Sequence, residues 1–183
     1  MIVTRRAESF YWSRIRDLFG LPYRDPRIQE LFTEVGLVPD TLWRELHVGI
    51  YAMPPHDQQP SPIAEIDLIP SFRIRFRFKH ASLVAGAKTA ASTTFVFAAV
   101  TYFLESENPE ERFSGELPFG ILPSDDLEAI VQRVGTPPAR RELGDEDGYV
   151  VWEDRNPVLH VLFSTREKRP LRVNVFLAPK TEG

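Results

Sequence analysis

Two short amphipathic helices with the same punctuation, 99 residues apart, constrain this chain more than any other feature. In the first, Asp25-Pro26 supplies an N-cap followed by proline at the first helical position. Ile28, Leu31, Phe32 and Val35 then form an apolar stripe, and Gly36 ends it. Adding 99 carries these four residues to Leu127, Ile130, Val131 and Val134, Gly36 to Gly135, Pro39 to Pro138 and Asp25 to Ser124. A cap, a stripe, a glycine stop and a proline that align together predict an internal duplication.

The second helix is expected over 125–134. Ser124 is its N-cap, Asp125 and Asp126 oppose the positive helix end, and Gly135 with Pro137-Pro138 stops it. Ahead of it, Gly115 and Gly120 flank the stiff apolar corner Leu117-Pro118-Phe119. Behind it come three strand-like runs, 149–153, 157–164 and 171–177, joined by connections short enough for hairpins. Leu159, Val161 and Phe163 alternate on one face, as do Leu171, Val173, Val175 and Leu177, which suits a sheet covered by the helix. His160, Arg172, Asn174 and Phe176 fall on the opposite face.

The first half is a looser version of this plan. A leading helix over 7–19 carries Tyr11, Trp12, Ile15, Leu18 and Phe19 at helical spacing. Strands are expected at 46–53, 63–69, 72–79 and 94–104, the last a continuous apolar run that fits a central strand. Prolines bracket a polar loop holding His56 and Asp57, and the small residues of 81–93 read as a flexible loop. The expected architecture is α+β: two tandem helix-plus-antiparallel-sheet repeats preceded by an N-terminal helix. Residues 1–105 hold that helix and the first repeat, and 106–183 hold the second, in one compact unit.

With 183 residues, 43% of them hydrophobic, the chain can bury a real core. Its net charge of −4 gives no global attraction to nucleic acid or anionic lipid. The absence of cysteine rules out disulfides and thiolate chemistry. No signal-like or membrane-length apolar run occurs, so a cytoplasmic location without membrane association is expected.

Catalytic motifs fail one by one. His47, His56, His80 and His160 are scattered with no i, i+4 pair. Gly86-Ala87-Lys88-Thr89 lacks the order of a phosphate loop, and no Gly-x-Ser-x-Gly elbow is present. The acidic run Gly144-Asp145-Glu146-Asp147-Gly148 lacks the alternate spacing of a calcium loop and reads as a solvated turn. Glu153 and Asp154 point to opposite faces if strand-like, which is poor geometry for shared acid/base work. No cofactor, metal or catalytic residue is therefore expected. The strand Phe72, Ile74, Phe76, Phe78 alternating with Arg73, Arg75, Arg77, Lys79 suggests a nucleic-acid or small-ligand module as the alternative. Its aromatic residues face away from its cations, however, and Glu65 and Asp67 can neutralise the arginines across a hairpin.

The run Gly115-Glu116-Leu117-Pro118-Phe119-Gly120-Ile121, the helix ending Val134-Gly135-Thr136-Pro137, then Trp152 and Leu159-His160-Val161, resembles a bacterial family of small immunity proteins from contact-dependent and polymorphic toxin systems. The likeness is strongest in the C-terminal third, and the Asp25-Pro26 helix also fits it. Phe113 stands where a tyrosine is usual, Phe163 occupies the last aromatic position, and the first sheet is unusually arginine-rich. The tandem plan is also similar to the β-lactamase-inhibitor type of fold, in which a sheet face grips an enzyme. The resemblance implies a non-catalytic protein that binds and neutralises a cognate protein toxin. Its binding surface is expected on the outward sheet face of the second repeat, at Trp152, His160, Arg172, Asn174 and Phe176, with Asp145, Glu146 and Asp147 on the rim. An enzyme would require a cleft that gathers acidic residues and histidines distant in sequence.

Overall fold

The computed structural model describes residues 10–37, 63–68, 72–106, 108 and 112–181. The expected strand at 46–53, the loop with His56 and Asp57, and the turn at Pro70-Ser71 lie outside these residues. The fold is α+β and mostly sheet. Strands β1 (Ile63–Asp67), β2 (Ile74–His80) and β3 (Phe95–Phe103) make one antiparallel meander. Strands β4 (Arg140–Leu143), β5 (Asp147–Trp152), β6 (Val158–Ser164) and β7 (Arg169–Phe176) make another. The last strand of each meander pairs with the other, so all seven form one sheet in the order β1-β2-β3-β7-β6-β5-β4. This junction explains why 94–104 lacks alternation: β3 has a neighbour on each side, and its residues from Phe95 to Val100 are buried whichever way they point.

Among the described residues three α-helices accompany the sheet. Helix α1 (Trp12–Ile15) is a single turn continued by a 3-10 turn at Arg16–Leu18, shorter than the segment expected at 7–19, whose first three residues lie outside the described ones. Helix α2 (Pro26–Glu34) starts where its cap requires, the Asp25 carboxylate accepting from the Arg27 N–H at 3.0 Å. Helix α3 (Leu127–Val134) begins later than expected, and its cap is Asp126 rather than Ser124. The Asp126 carboxylate accepts from the Ala129 N–H at 2.8 Å. Asp125 is unavailable because it turns inward. It accepts from the Leu122 N–H at 2.8 Å and pairs with Arg133 at 2.6 Å. Gly135 closes α3 at φ 81°, and its N–H donates to the Val131 carbonyl at 3.0 Å.

All three helices bury their apolar residues against the same face of the sheet, in one continuous core. Ile28 and Phe32 of α2 are buried there with Ile74, Phe76 and Phe78 of β2. The Phe32 ring lies 6.1 Å from Phe76 and 6.3 Å from Phe78. Ile130 and Val134 of α3 are buried in the same core with Val161 of β6 and Val173 and Val175 of β7. Side-chain alternation makes this face apolar and leaves the other face to the residues between.

Two segments differ from expectation. Residues 81–93 are anchored rather than loose: Ala85 N–H donates to the Ala178 carbonyl and Lys88 N–H to the Gly20 carbonyl, both at 2.8 Å. Gly20 and Gly86 make this approach possible, since a Cβ on Gly20 would fall on the Gly86 carbonyl oxygen. The second segment is β4, an edge strand absent from the sequence reading. Its four residues, Arg-Arg-Glu-Leu, carry the charges that keep exposed edges from pairing with other chains and show no apolar alternation.

Candidate functional site

The face of the sheet opposite the helices collects four of the eight residues expected to meet a partner, His160, Arg172, Asn174 and Phe176. Pairing across six strands places Asp67, Arg75, Thr101, Asn174, His160 and Val151 in one transverse row. A second row runs Phe103, Arg172, Leu162, Tyr149 and Glu142. Every described helix buries its apolar residues on the other side, so no described helix covers these rows.

One end of this face is an arginine-aromatic cluster. The Arg172 guanidinium lies 5.3 Å from the centre of the Phe103 ring, and that of Arg75 lies 5.5 Å from it. Both cations are held from outside. Arg172 makes a two-pronged pair with Glu105, its Nη2 at 2.9 Å from Oε2, and Arg75 donates to Asp67 at 2.9 Å. Arg77 donates to Glu65 at 2.6 Å. The basic stripe of β2 is thus paired across its hairpin, and its phenylalanines Phe76 and Phe78 are fully buried on the far side.

The other end centres on His160. Its Nδ1 lies 3.0 Å from Asn174 Nδ2, so a neutral ring accepts the amide hydrogen there. The Tyr149 ring stacks on it at 5.4 Å, and the Tyr149 hydroxyl donates to Glu142 at 2.6 Å. Burial, and then the positive charge of Arg140, push the His160 pKa below the ordinary imidazole value. The ring is therefore kept neutral, as a hydrogen-bonding group rather than a charge. Phe176 lies half-buried between Ala99 and Val158 on the same face.

His160, Arg172, Asn174 and Phe176 share this face, in agreement with alternation along β6 and β7. Trp152 does not, and its placement there is corrected. It pairs with Leu159, fully buried on the helix side, and its indole N–H donates to the Thr136 carbonyl at 2.8 Å. Val151 and Tyr149 take the outward positions of β5. The phase of β5 against β6 is set by their hairpin register, and one residue of phase moves a side chain through the sheet. Asp145, Glu146 and Asp147 are exposed at the tip of the β4–β5 hairpin, closed by the Gly144 N–H donating to the Asp147 carbonyl at 2.8 Å. They sit at one end of the sheet beside the β6–β7 turn, whose Thr165 N–H donates to the Glu146 carbonyl at 3.0 Å.

Phe103, Tyr149, Glu105 and Glu142 were not anticipated. Phe103 was concealed by the continuous apolar run of β3, and Tyr149 becomes an outward residue only once the register of β5 is known. Among the described residues no group of three or more histidines and acids is placed to hold a metal ion. No described helix is long and apolar enough to cross a membrane. Comparisons with protein-family models, with curated proteins and with solved structures return no match to this chain.

Proposed function

We propose that this protein is a non-catalytic binding protein, an immunity protein that neutralises a cognate bacterial toxin through the sheet face that no described helix covers. The observation that carries this reading is the Arg75–Phe103–Arg172 cluster on a face that no described helix covers. Aromatic rings and arginines held in place by their own salt bridges lose little side-chain freedom on docking, which is how a few residues come to dominate an interface. The Leu117-Pro118-Phe119-Gly120 corner and the residues after it add the family resemblance. The protein acts in the cytoplasm and requires no cofactor.

The same reading includes a duplicated unit. Each copy is a helix ended by a left-handed glycine, Gly36 at φ 78° and Gly135 at φ 81°, followed by a three-stranded meander. The two copies meet through their last strands, β3 and β7, and this gives one sheet wide enough for a protein partner.

The cross-strand pairing of Arg75 and Arg77 with Asp67 and Glu65 weighs against the alternative of a nucleic-acid module on β2, because those cations already have counterions. The test is growth protection. Cells expressing the toxin encoded beside this gene should survive when the wild-type protein is co-expressed and die with Arg172→Glu, provided the variant keeps its thermal midpoint. Survival with Arg172→Glu, or no protection by the wild type, overturns the proposal.

A further inference from the structure

Two cavities on the helix side of the sheet share a wall at Lys168. The larger, about 700 Å³, is an open groove between α3 and the strands β4 and β6. Leu127, Val131, Pro137, Pro138, Leu143 and Phe163 make it largely apolar.

The smaller cavity, about 340 Å³, is cationic. Arg112, Lys168 and Arg169 line it with Ser124 and one carboxylate, Glu167. That carboxylate is already engaged by Arg169, whose other terminal nitrogen donates to the Leu104 carbonyl at 3.0 Å. Arg112 uses Nε on the Ser106 carbonyl at 2.8 Å. Its terminal nitrogens and the Lys168 ammonium have no partner among the described residues. Two cations without a partner among the described residues, in one pocket, stand out in a chain whose net charge is −4. Asp126, occupied as the α3 cap, also lines the groove, as do Glu128, Arg141 and Lys168.

The geometry points to a binding site for an anionic amphiphile: a carboxylate or phosphate head held by Lys168, Arg112 and the Ser124 hydroxyl, with an apolar chain lying along α3. The combined space is in the range of pockets that hold small ligands, and the polarity is divided as such a ligand requires, apolar along its length and cationic at one end. A neutral apolar ligand would make no use of Lys168 and Arg112, and a free anion would leave the groove unused. The site lies on the opposite side of the sheet from the proposed recognition face and does not depend on it.

The test titrates the full-length protein, by calorimetry and amide chemical shifts, with decanoate, decyl phosphate, decan-1-ol and inorganic phosphate, each below its aggregation threshold. Lys168→Gly is the informative variant, because Lys168 sits at φ 53°, a conformation glycine adopts freely. Val131→Ser probes the apolar wall. Decanoate and decyl phosphate should bind one per chain, with shifts at Val131, Leu143 and Phe163. Lys168→Gly should weaken both by about tenfold, the loss expected for one hydrogen bond to a charged group. Decan-1-ol should bind more weakly than decanoate, and inorganic phosphate more weakly than decyl phosphate. Equal binding of decanol and decanoate, equal binding of the two phosphates, undiminished affinity in a folded Lys168→Gly protein, or no binding of either decyl anion would overturn the assignment.

Discussion

The Arg172 guanidinium lies 5.3 Å from the centre of the Phe103 ring, directly across the β7–β3 ladder that joins the two halves of the sheet. Arg75 approaches the same ring from β2, the strand on the other side of β3. Two cations can share one ring because each has its own carboxylate, Glu105 for Arg172 and Asp67 for Arg75. Phe103→Leu keeps apolar bulk while removing the ring's negative face. It should lower the unfolding free energy by about 1 kcal/mol, the sum of two partly exposed cation–π contacts. Urea denaturation would measure this, and a Phe103→Leu protein with wild-type stability would show that the contacts carry no energy.

Trp152 and Arg172 should separate cleanly by stability. Trp152 is fully buried with its indole N–H bonded, so Trp152→Ala should cost about 3–5 kcal/mol. Arg172→Ala removes a half-exposed ion pair and should cost less than about 1 kcal/mol. Thermal denaturation of the two variants distinguishes them, and similar midpoints would contradict the placement of Trp152 on the helix side.

Tyr102 carries the opposite expectation. Its ring is wholly buried, 4.8 Å from Phe113, and its hydroxyl has no hydrogen-bond partner among the described residues. Burial drives its pKa far above the ordinary phenol value. Tyr102→Phe removes an unsatisfied polar group while keeping the ring, and should raise stability by about 1 kcal/mol. A loss of stability of the same size would mean that the hydroxyl is satisfied.

The pH dependence follows from His160 and His80, both held below the ordinary imidazole pKa, chiefly by burial. The unfolded chain takes up protons at higher pH than the native one. Stability is therefore full above the unfolded value and is lost as pH falls through about 6.5 toward the lower native values. The urea midpoint should drop between pH 7.5 and 5.5 in the wild type and drop less in His160→Asn. Parallel falls in the two proteins would remove His160 from the account.

These placements also mark what the sequence could say. Alternation along β6 and β7 put His160, Asn174 and Arg172 on one face because each strand has a polar and an apolar side, and the hairpin between them is short. Trp152 was misplaced because β5 has apolar residues on both faces, Val151 outward and Val150 inward, so composition did not fix its phase. Ser124 reads as the cap of α3 from sequence alone, and the inward turn of Asp125 onto Arg133 is what moves the start of the helix to Asp126. The β3–β7 junction joins residues about 70 positions apart and has no local signal, which is also why β3 appeared as an unpatterned apolar run. The cap assignment is itself open to test: Asp126→Ala should cost about 1 kcal/mol and Ser124→Ala much less.

The central claim is that the sheet face opposite the described helices binds a protein toxin, and complex formation tests it most directly. The purified protein and an inactivated form of the toxin encoded beside its gene would be titrated by calorimetry, using wild type, Arg172→Glu, Phe103→Ala and, as a control on the other side of the sheet, Lys168→Gly. The account predicts a one-to-one complex that loses at least about tenfold in affinity with either face variant and none with Lys168→Gly. A complex indifferent to both face variants, or no complex with the wild type, would contradict it.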